Sequence, residues 1–209
     1  TVVDCGSSSS DTAGETAANF LKSRGKNTID LLILTHYHED HTNGLGYLLS
    51  AMNVKTIAAP DPADDDGSSD VITLAKRYGQ DIEYISENTS AEMDGCVISI
   101  FAPLMGKGEN ERCLSVLATQ EDFDVLITGD MPEEGEIMLI ESAELPDIEV
   151  LSVGHHGSAT SAHEMLLDTL TPEAAVISVG ENSYGHPSAE TITRLQERDI
   201  SVFRTDISG

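Results

Sequence analysis

Asp30-Leu31-Leu32-Ile33-Leu34-Thr35-His36-Tyr37-His38-Glu39-Asp40-His41 sets an apolar run directly against a cluster of ionisable groups. The run Leu31–Leu34 drives a buried strand, and three histidines and an aspartate follow it within six residues. Strand ends in α/β sheets are where loops hold functional groups above a rigid scaffold. On an extended backbone His36 and His38, two apart, point to the same side, so both can reach one cation. Asp40 and His41, where the chain turns into the helical pattern beginning near Gly44, can reach a second. Imidazole and carboxylate are donors that zinc and similar metals accept, whereas a soft thiolate site needs cysteines that this stretch lacks. A single histidine here would read as a helix cap. Four donors in this spacing, directly after a buried strand, read as a metal site.

Working outward, short apolar runs alternate with helical patterns, which predicts a layered α/β domain with sheet inside and helices outside. The spacing predicts strands near Val2–Asp4, Leu31–Leu34, Thr56–Ala59, Ile82–Ile85, Val97–Phe101, Leu114–Ala118, Val125–Thr128, Glu149–Val153, Ala175–Val179 and Val202–Arg204. Helices are expected over Thr12–Ser23, Gly44–Met52, Ser69–Tyr78, Pro132–Glu141, Ser161–Leu170 and Ser188–Arg198, with Ser161 and Glu164 reading as a capping pair. From Cys96 to Gly129 strand-like runs follow one another with only loops between, so antiparallel hairpins interrupt the alternation. No repeat or linker marks a boundary, and one domain over residues 1–209 is expected.

The composition, 39% hydrophobic and 23% charged, is that of a soluble globular enzyme. No apolar run approaches the roughly 20 residues of a bilayer span, and the N-terminus has no signal-peptide pattern. Thr1 lies inside an apparent strand and Gly209 just after another, which suggests a fragment of a longer chain. Cys5, Cys96 and Cys113 are too few and too irregular for a disulfide framework. Eleven basic residues against 37 acidic ones give a net charge of -26, which excludes a basic nucleic-acid-binding patch. The run Asp61-Pro62-Ala63-Asp64-Asp65-Asp66 lacks the alternation of an EF-hand loop and reads as a solvated loop.

His36, His38, Asp40 and His41 match His-x-His-x-Asp-His in full, and on that motif the chain resembles the metallo-β-lactamase superfamily. The resemblance implies an αββα four-layer sandwich of two mixed sheets flanked by helices, and a hydrolase carrying two divalent metal ions. It makes Asp130, in Thr128-Gly129-Asp130, the aspartate that bridges both metals; alone, a strand-terminal aspartate reads as a turn or cap. Val150-Leu151-Ser152-Val153-Gly154-His155-His156-Gly157-Ser158 lies where the superfamily supplies its last histidine ligand. Adjacent side chains on an extended backbone diverge, so one ligand is expected, His156, leaving His155 near the substrate or hydrogen-bonded in the core. His186, in Tyr184-Gly185-His186-Pro187, follows another strand whose end should open on the same edge. It is a candidate substrate-phosphate contact, proton donor or additional ligand, while His163 reads as structural. The superfamily's middle histidine is missing, since residues 42 to 129 contain none, and the nearest substitute is Asn110. Amide oxygen is a weaker, harder donor than imidazole, so manganese competes with zinc.

Gly154–Ser158, Ile177-Ser178-Val179-Gly180, Tyr184–Pro187, Phe203-Arg204-Thr205-Asp206 and Val3-Asp4-Cys5-Gly6 are similar to the C-terminal domain of the ComEC family of competence proteins. That resemblance implies a nuclease acting on single-stranded DNA beside a polytopic membrane channel, tethered to the bacterial cell membrane. Free-standing or secreted relatives, among them enzymes that remove phosphorylcholine from cell-wall polymers, are the rival reading, with an extracellular location. A catalytically weak docking domain of an uptake complex is a further alternative, against which only the middle histidine is lost. In the hydrolytic reading Asp40 orients or deprotonates the nucleophile, and His155, His186 and Ser158 hold phosphate oxygens or protonate the leaving group.

Overall fold

The apolar run of the opening motif becomes an inner strand of a sheet buried on both faces. The computed structural model describes residues 1–7, 12–63, 67–104, 106 and 110–208. It divides into two compact units, Thr1–Ser86 and Glu87–Gly209.

In the first unit the order is β1 (Val2–Val3), α1 (Ala13–Ser23), β2 (Thr28–Ile33), α2 (Glu39–Thr42), α3 (Leu45–Ala51), β3 (Asn53–Pro60), α4 (Ser68–Arg77) and β4 (Ile82–Ile85). The sheet order is β1-β2-β3-β4, and all three pairings are parallel. Each connection passes through a helix, which returns the chain to the same edge before the next strand starts. Leu32, Ile33 and Leu34 are fully buried, as a parallel strand covered on both faces requires. Leu32, Leu34, Leu45, Leu48, Ile57 and Val71 share one apolar cluster. The closest approach is between α1 and the start of α3. A Cβ on Gly14 would strike the backbone of Gly44, and one on Gly44 would strike that of Gly14 and Cys5.

The second unit runs β5 (Thr89–Met93), β6 (Cys96–Phe101), β7 (Ser115–Gln120), β8 (Phe123–Ile127), α5 (Glu133–Ser142), β9 (Val150–Ser152), α6 (Glu164–Leu170), β10 (Ala174–Ile177), α7 (Ala189–Gln196), β11 (Ser201–Arg204) and α8 (Thr205–Ser208). Its sheet order is β11-β10-β9-β8-β7-β6-β5. Strands β8 to β11 are parallel and β5 to β8 antiparallel, so the hairpins expected between Cys96 and Gly129 are present and mixed pairing belongs to this sheet. Leu126, Leu151, Ala175 and Ile177 bury one face against Leu166, Leu167, Leu170 and Leu195.

Two expectations are corrected. Strand β5 was not foreseen, because Thr-Ser-Ala-Glu-Met has no apolar alternation and four of its five residues are exposed. It is held by backbone pairing to β6 across Asp94-Gly95, both at positive φ, the local signature of a tight hairpin. Helix α6 begins after His163, not at Ser161: the His163 ring accepts from the Met165 amide (3.2 Å), and its Nε2 lies 3.3 Å from Glu133 Oε1. The short helices α2 and α8 also lay below the length that periodicity resolves. Of the acidic run Asp61–Asp66, residues 64–66 lie outside the described residues. No helix among the described residues is long and apolar enough to cross a membrane.

Ahead of α6, the buried Glu136 of α5 accepts from the amides of Ala162 (3.0 Å) and His163 (2.7 Å). Burial pushes its carboxyl up from the ordinary 4.5 to about 7; the two amides and the charge of Arg194 oppose this and Glu133 adds to it.

Replacing Gly44 or Gly14 by alanine is expected to cost about 1–3 kcal/mol through overpacking; chemical denaturation measures it, and a parental midpoint would mean that the helices can separate freely. For Glu136 the folded pKa lies above the unfolded one, so its contribution to stability is full below about pH 4.5 and is lost as pH rises through about 7. The parent should lose roughly 3 kcal/mol across that window and Glu136→Gln should show a flatter profile, read from melting curves at each pH. Parallel profiles would contradict the shift.

Candidate metal centre

In the first unit the ends of β1 and β2 are in register, Val3 opposite Ile33, so the residues after them emerge side by side. Asp4, which ends β1, accepts at Oδ1 from the Thr35 amide (2.8 Å) and at Oδ2 from the Thr35 hydroxyl (2.7 Å); Oδ2 also lies 2.8 Å from His41 Nδ1. The Thr35 hydroxyl spends its proton on Asp4. It is therefore left to accept from His36 Nδ1, 3.1 Å away, which puts the lone pair of His36 on Nε2. That Nε2 lies 2.9 Å from His38 Nδ1. The His36 ring centroid is 4.6 Å from that of His38 and 4.1 Å from that of His41, so both of these imidazoles lie against His36. With Nδ1 of His41 donating to Asp4, its Nε2 also carries a lone pair, the orientation that a second carboxylate imposes on metal-binding histidines. Asp40 is half-buried in the first turn of α2. Gly6 has no room for a Cβ against the backbone of Asp40 and His41, and the Cys5 amide donates to the His41 carbonyl (2.9 Å), so the chain leaving β1 braces this loop.

In the second unit β8, β9 and β10 end at one edge, with Ile127, Ser152 and Val176 in register. The loops after them carry Asp130, His155, His156 and His186, as the shared-edge expectation required. Asp130 is buried, 4% exposed, and its Oδ2 lies 4.0 Å from His155 Nε2. The His155 and His186 ring centroids are 5.6 Å apart. His156 Nδ1 donates to the Ser178 carbonyl (2.8 Å), which leaves its Nε2 as the lone-pair nitrogen. The backbone differs from the extended one expected: His155 (φ 48) and His156 (φ 52) form a left-handed turn, because the chain reverses at the sheet edge into Gly157. His186 Nδ1 is buried and meets no hydrogen-bond partner among the described residues. Burial first, then the neighbouring His155 and His156, holds its pKa below the usual histidine value, with Asp130 acting the other way. The buried Ser158 hydroxyl lies 3.2 Å from that of the exposed Thr160 and accepts the Thr160 amide (3.4 Å). Asn110 opens a 3₁₀ turn, and its Oδ1 is buried with no hydrogen-bond partner among the described residues.

Sequence reasoning missed Asp4 and the Ser178 carbonyl as orienting groups. The signal for Asp4 was an aspartate ending the strand paired beside the motif strand, which is recognisable only once that pairing is known.

Asp4→Asn is expected to weaken divalent-metal binding about 10- to 100-fold without unfolding the chain. Calorimetric titration with manganese and with zinc checks it; an unchanged dissociation constant would reduce Asp4 to a strap between strand ends.

The profile of the Metallo-beta-lactamase superfamily matches residues 1–181. Among curated proteins, ComE operon protein 3 of Bacillus subtilis is 30% identical over 198 residues, covering 91% of this chain and 25% of that protein. Competence protein ComA of Neisseria gonorrhoeae is 28% identical, with 90% of this chain and 26% of that protein covered. Recombination protein 2 of Haemophilus influenzae is 28% identical, with 87% and 22% covered. The chain thus spans about a quarter of the length of these relatives. Of solved structures, the metallo-β-lactamase fold protein YhfI of Bacillus subtilis aligns with a TM-score of 0.63 at 14% identity, over 98% of this chain and 83% of that one. CmlA, a diiron β-hydroxylase of Streptomyces venezuelae, aligns at 0.61 and 14% identity, over 86% and 44%. On the extent of the profile match and on the shared fold, the chain belongs to the metallo-β-lactamase superfamily.

Proposed function

We propose that this chain is a two-metal phosphodiesterase that cuts single-stranded DNA during competence-type uptake, working beside a membrane channel at the bacterial cell membrane. The observation that carries it is the tautomer of the imidazoles: hydrogen bonds to Asp4, Thr35 and Ser178 take up Nδ1 of His41, His36 and His156 and leave the lone pair of each on Nε2. Buried nitrogen and carboxylate donors without a thiolate suit a borderline or hard divalent cation. By the superfamily resemblance, the residues that would hold the cations are His36, His38, Asp40 and His41 in the first unit and Asp130 and His156 in the second, with Asn110 offered where the superfamily has a further imidazole. When bound, two such cations lower the pKa of a shared water toward neutrality and offset the charge of the phosphodiester. Asp40 would orient the attacking water and accept its proton. His155 and His186, facing each other near Asp130, hold the non-bridging oxygens, and either can pass a proton to the departing oxygen. Ser158 supports the turn that presents them. The similarity to competence proteins favours DNA among phosphodiesters, and the net charge of -26 leaves the cations to supply what a basic surface would.

His38→Ala and Asp130→Ala are each expected to abolish manganese-dependent cleavage of single-stranded DNA, with circular dichroism unchanged. Manganese should support a higher rate than zinc in the parent, because Asn110 supplies oxygen where imidazole is usual. Full activity in either variant rejects the site. Release of phosphorylcholine from a polymer with no cleavage of DNA moves the assignment to the cell-wall esterases, and metal binding with neither activity moves it to a docking domain.

A further inference from the structure

Between Gly180 and Pro187 the loop that carries His186 also carries the most exposed large hydrophobic side chain of the described residues. Tyr184 is 79% exposed, and its ring lies nearly parallel to that of His186, 19° between planes and 6.1 Å between centroids. An exposed tyrosine on a floppy loop would call for no explanation. This loop is fastened by one side chain: Asn182 Oδ1 accepts from the amides of Tyr184 (3.1 Å), Gly185 (3.0 Å) and His186 (3.1 Å), and Asn182 Nδ2 donates to the carbonyls of Gly180 (2.9 Å) and His186 (2.8 Å). The backbone that bears the phenol is thus held by the bonds that hold His186, so an aromatic face waits beside the His186 ring, which in turn neighbours His155. A loop backbone fixed before binding loses little entropy when its side chain is covered.

Electrostatics gives this face a task. Residues 87–209 contain one lysine, Lys107, and four arginines. Arg198 is paired with Asp168, Arg204 with Asp206, and Arg194 donates to the carbonyls of Ala159 and Ser161. A polyanion that reaches this acidic protein finds few cations along its backbone, so affinity for the strand beyond the scissile phosphate has to come from its bases. Base stacking on an aromatic ring is worth about 1–3 kcal/mol and tolerates any sequence.

We propose that Tyr184 is a stacking platform for a nucleobase of a single-stranded nucleic acid whose adjoining phosphodiester lies at His186. This rests on the phosphodiesterase reading and adds the recognition element to it. The rival ligand for an exposed phenol is a quaternary ammonium, but such cations are held by several aromatic walls, whereas Tyr184 presents one ring beside an imidazole.

The test uses the full chain loaded with manganese and a short single strand carrying 2-aminopurine, whose fluorescence is quenched on stacking. The parent and Tyr184→Phe should quench the probe and Tyr184→Ala should not. In steady-state kinetics the KM advantage of a base-bearing strand over an abasic one of equal length should fall roughly tenfold in Tyr184→Ala, with kcat for the base-bearing strand retained and Tyr184→Phe restoring KM. Quenching that is equal in Tyr184→Ala, or absent in the parent, overturns the proposal. So does phosphocholine binding that depends on Tyr184 without any effect of the bases. Quenching by a parent that cleaves no strand would refute the nuclease reading and keep the platform.

Discussion

Parallel pairing brings the ends of neighbouring strands onto one edge, and nearly every candidate donor of this protein follows such an end. In the first sheet Val3 and Ile33 are paired, so Asp4 and the histidine motif leave the sheet together. In the second, Ile127, Ser152 and Val176 are aligned, and Asp130, His155, His156 and His186 lie in the loops beyond them. The helices that make parallel connections possible are packed closely, and at Gly14 and Gly44 backbone meets backbone with no room for a methyl group. A rigid scaffold below fixes where each loop starts, and hydrogen bonds made within and between the loops then fix how its side chains are turned.

That orientation is decided by hydrogen bonds one step removed from the donors. Asp4 and Thr35 assign the proton-bearing nitrogens of His41 and His36, and the Ser178 carbonyl assigns that of His156. An imidazole has two nitrogens, and a metal can use only the one without a proton, so these groups determine whether a histidine near a cation is a ligand. The same logic extends to the loop of His186, where Asn182 satisfies three amides and two carbonyls and removes the freedom a loop of glycine and polar residues would otherwise have.

An acidic chain proposed to act on a polyanion has to solve an electrostatic problem. With 37 acidic residues against 11 basic ones, long-range attraction to DNA is not available. Local cations at the reacting phosphate and stacking along the strand both work at contact distance, where the charge of a distant surface matters least because salt screens it beyond about 10 Å. The two devices therefore complement one another.

The histidine motif, the aspartate after β8, the histidine pair after β9 and the hairpins of the middle segment were all legible in the sequence. Each rests on local rules: apolar runs make buried strands, side chains alternate, and donors after a strand face its edge. The left-handed turn at His155 and His156 was not legible, since a tight reversal at a sheet edge overrides the alternation of an extended chain. Strand β5 escaped because its stability comes from pairing and not from its own side chains, and the start of α6 shifted because the His163 ring takes the Met165 amide while Glu136 takes the amides of Ala162 and His163 ahead of the helix. Asp4 is the clearest case: it lies 37 residues from His41 and 31 from Thr35, and no rule of spacing joins them. The types of donor were thus a property of the sequence, whereas which nitrogen each donor offers was decided by hydrogen bonds between distant segments, which exist only when the sheet has formed.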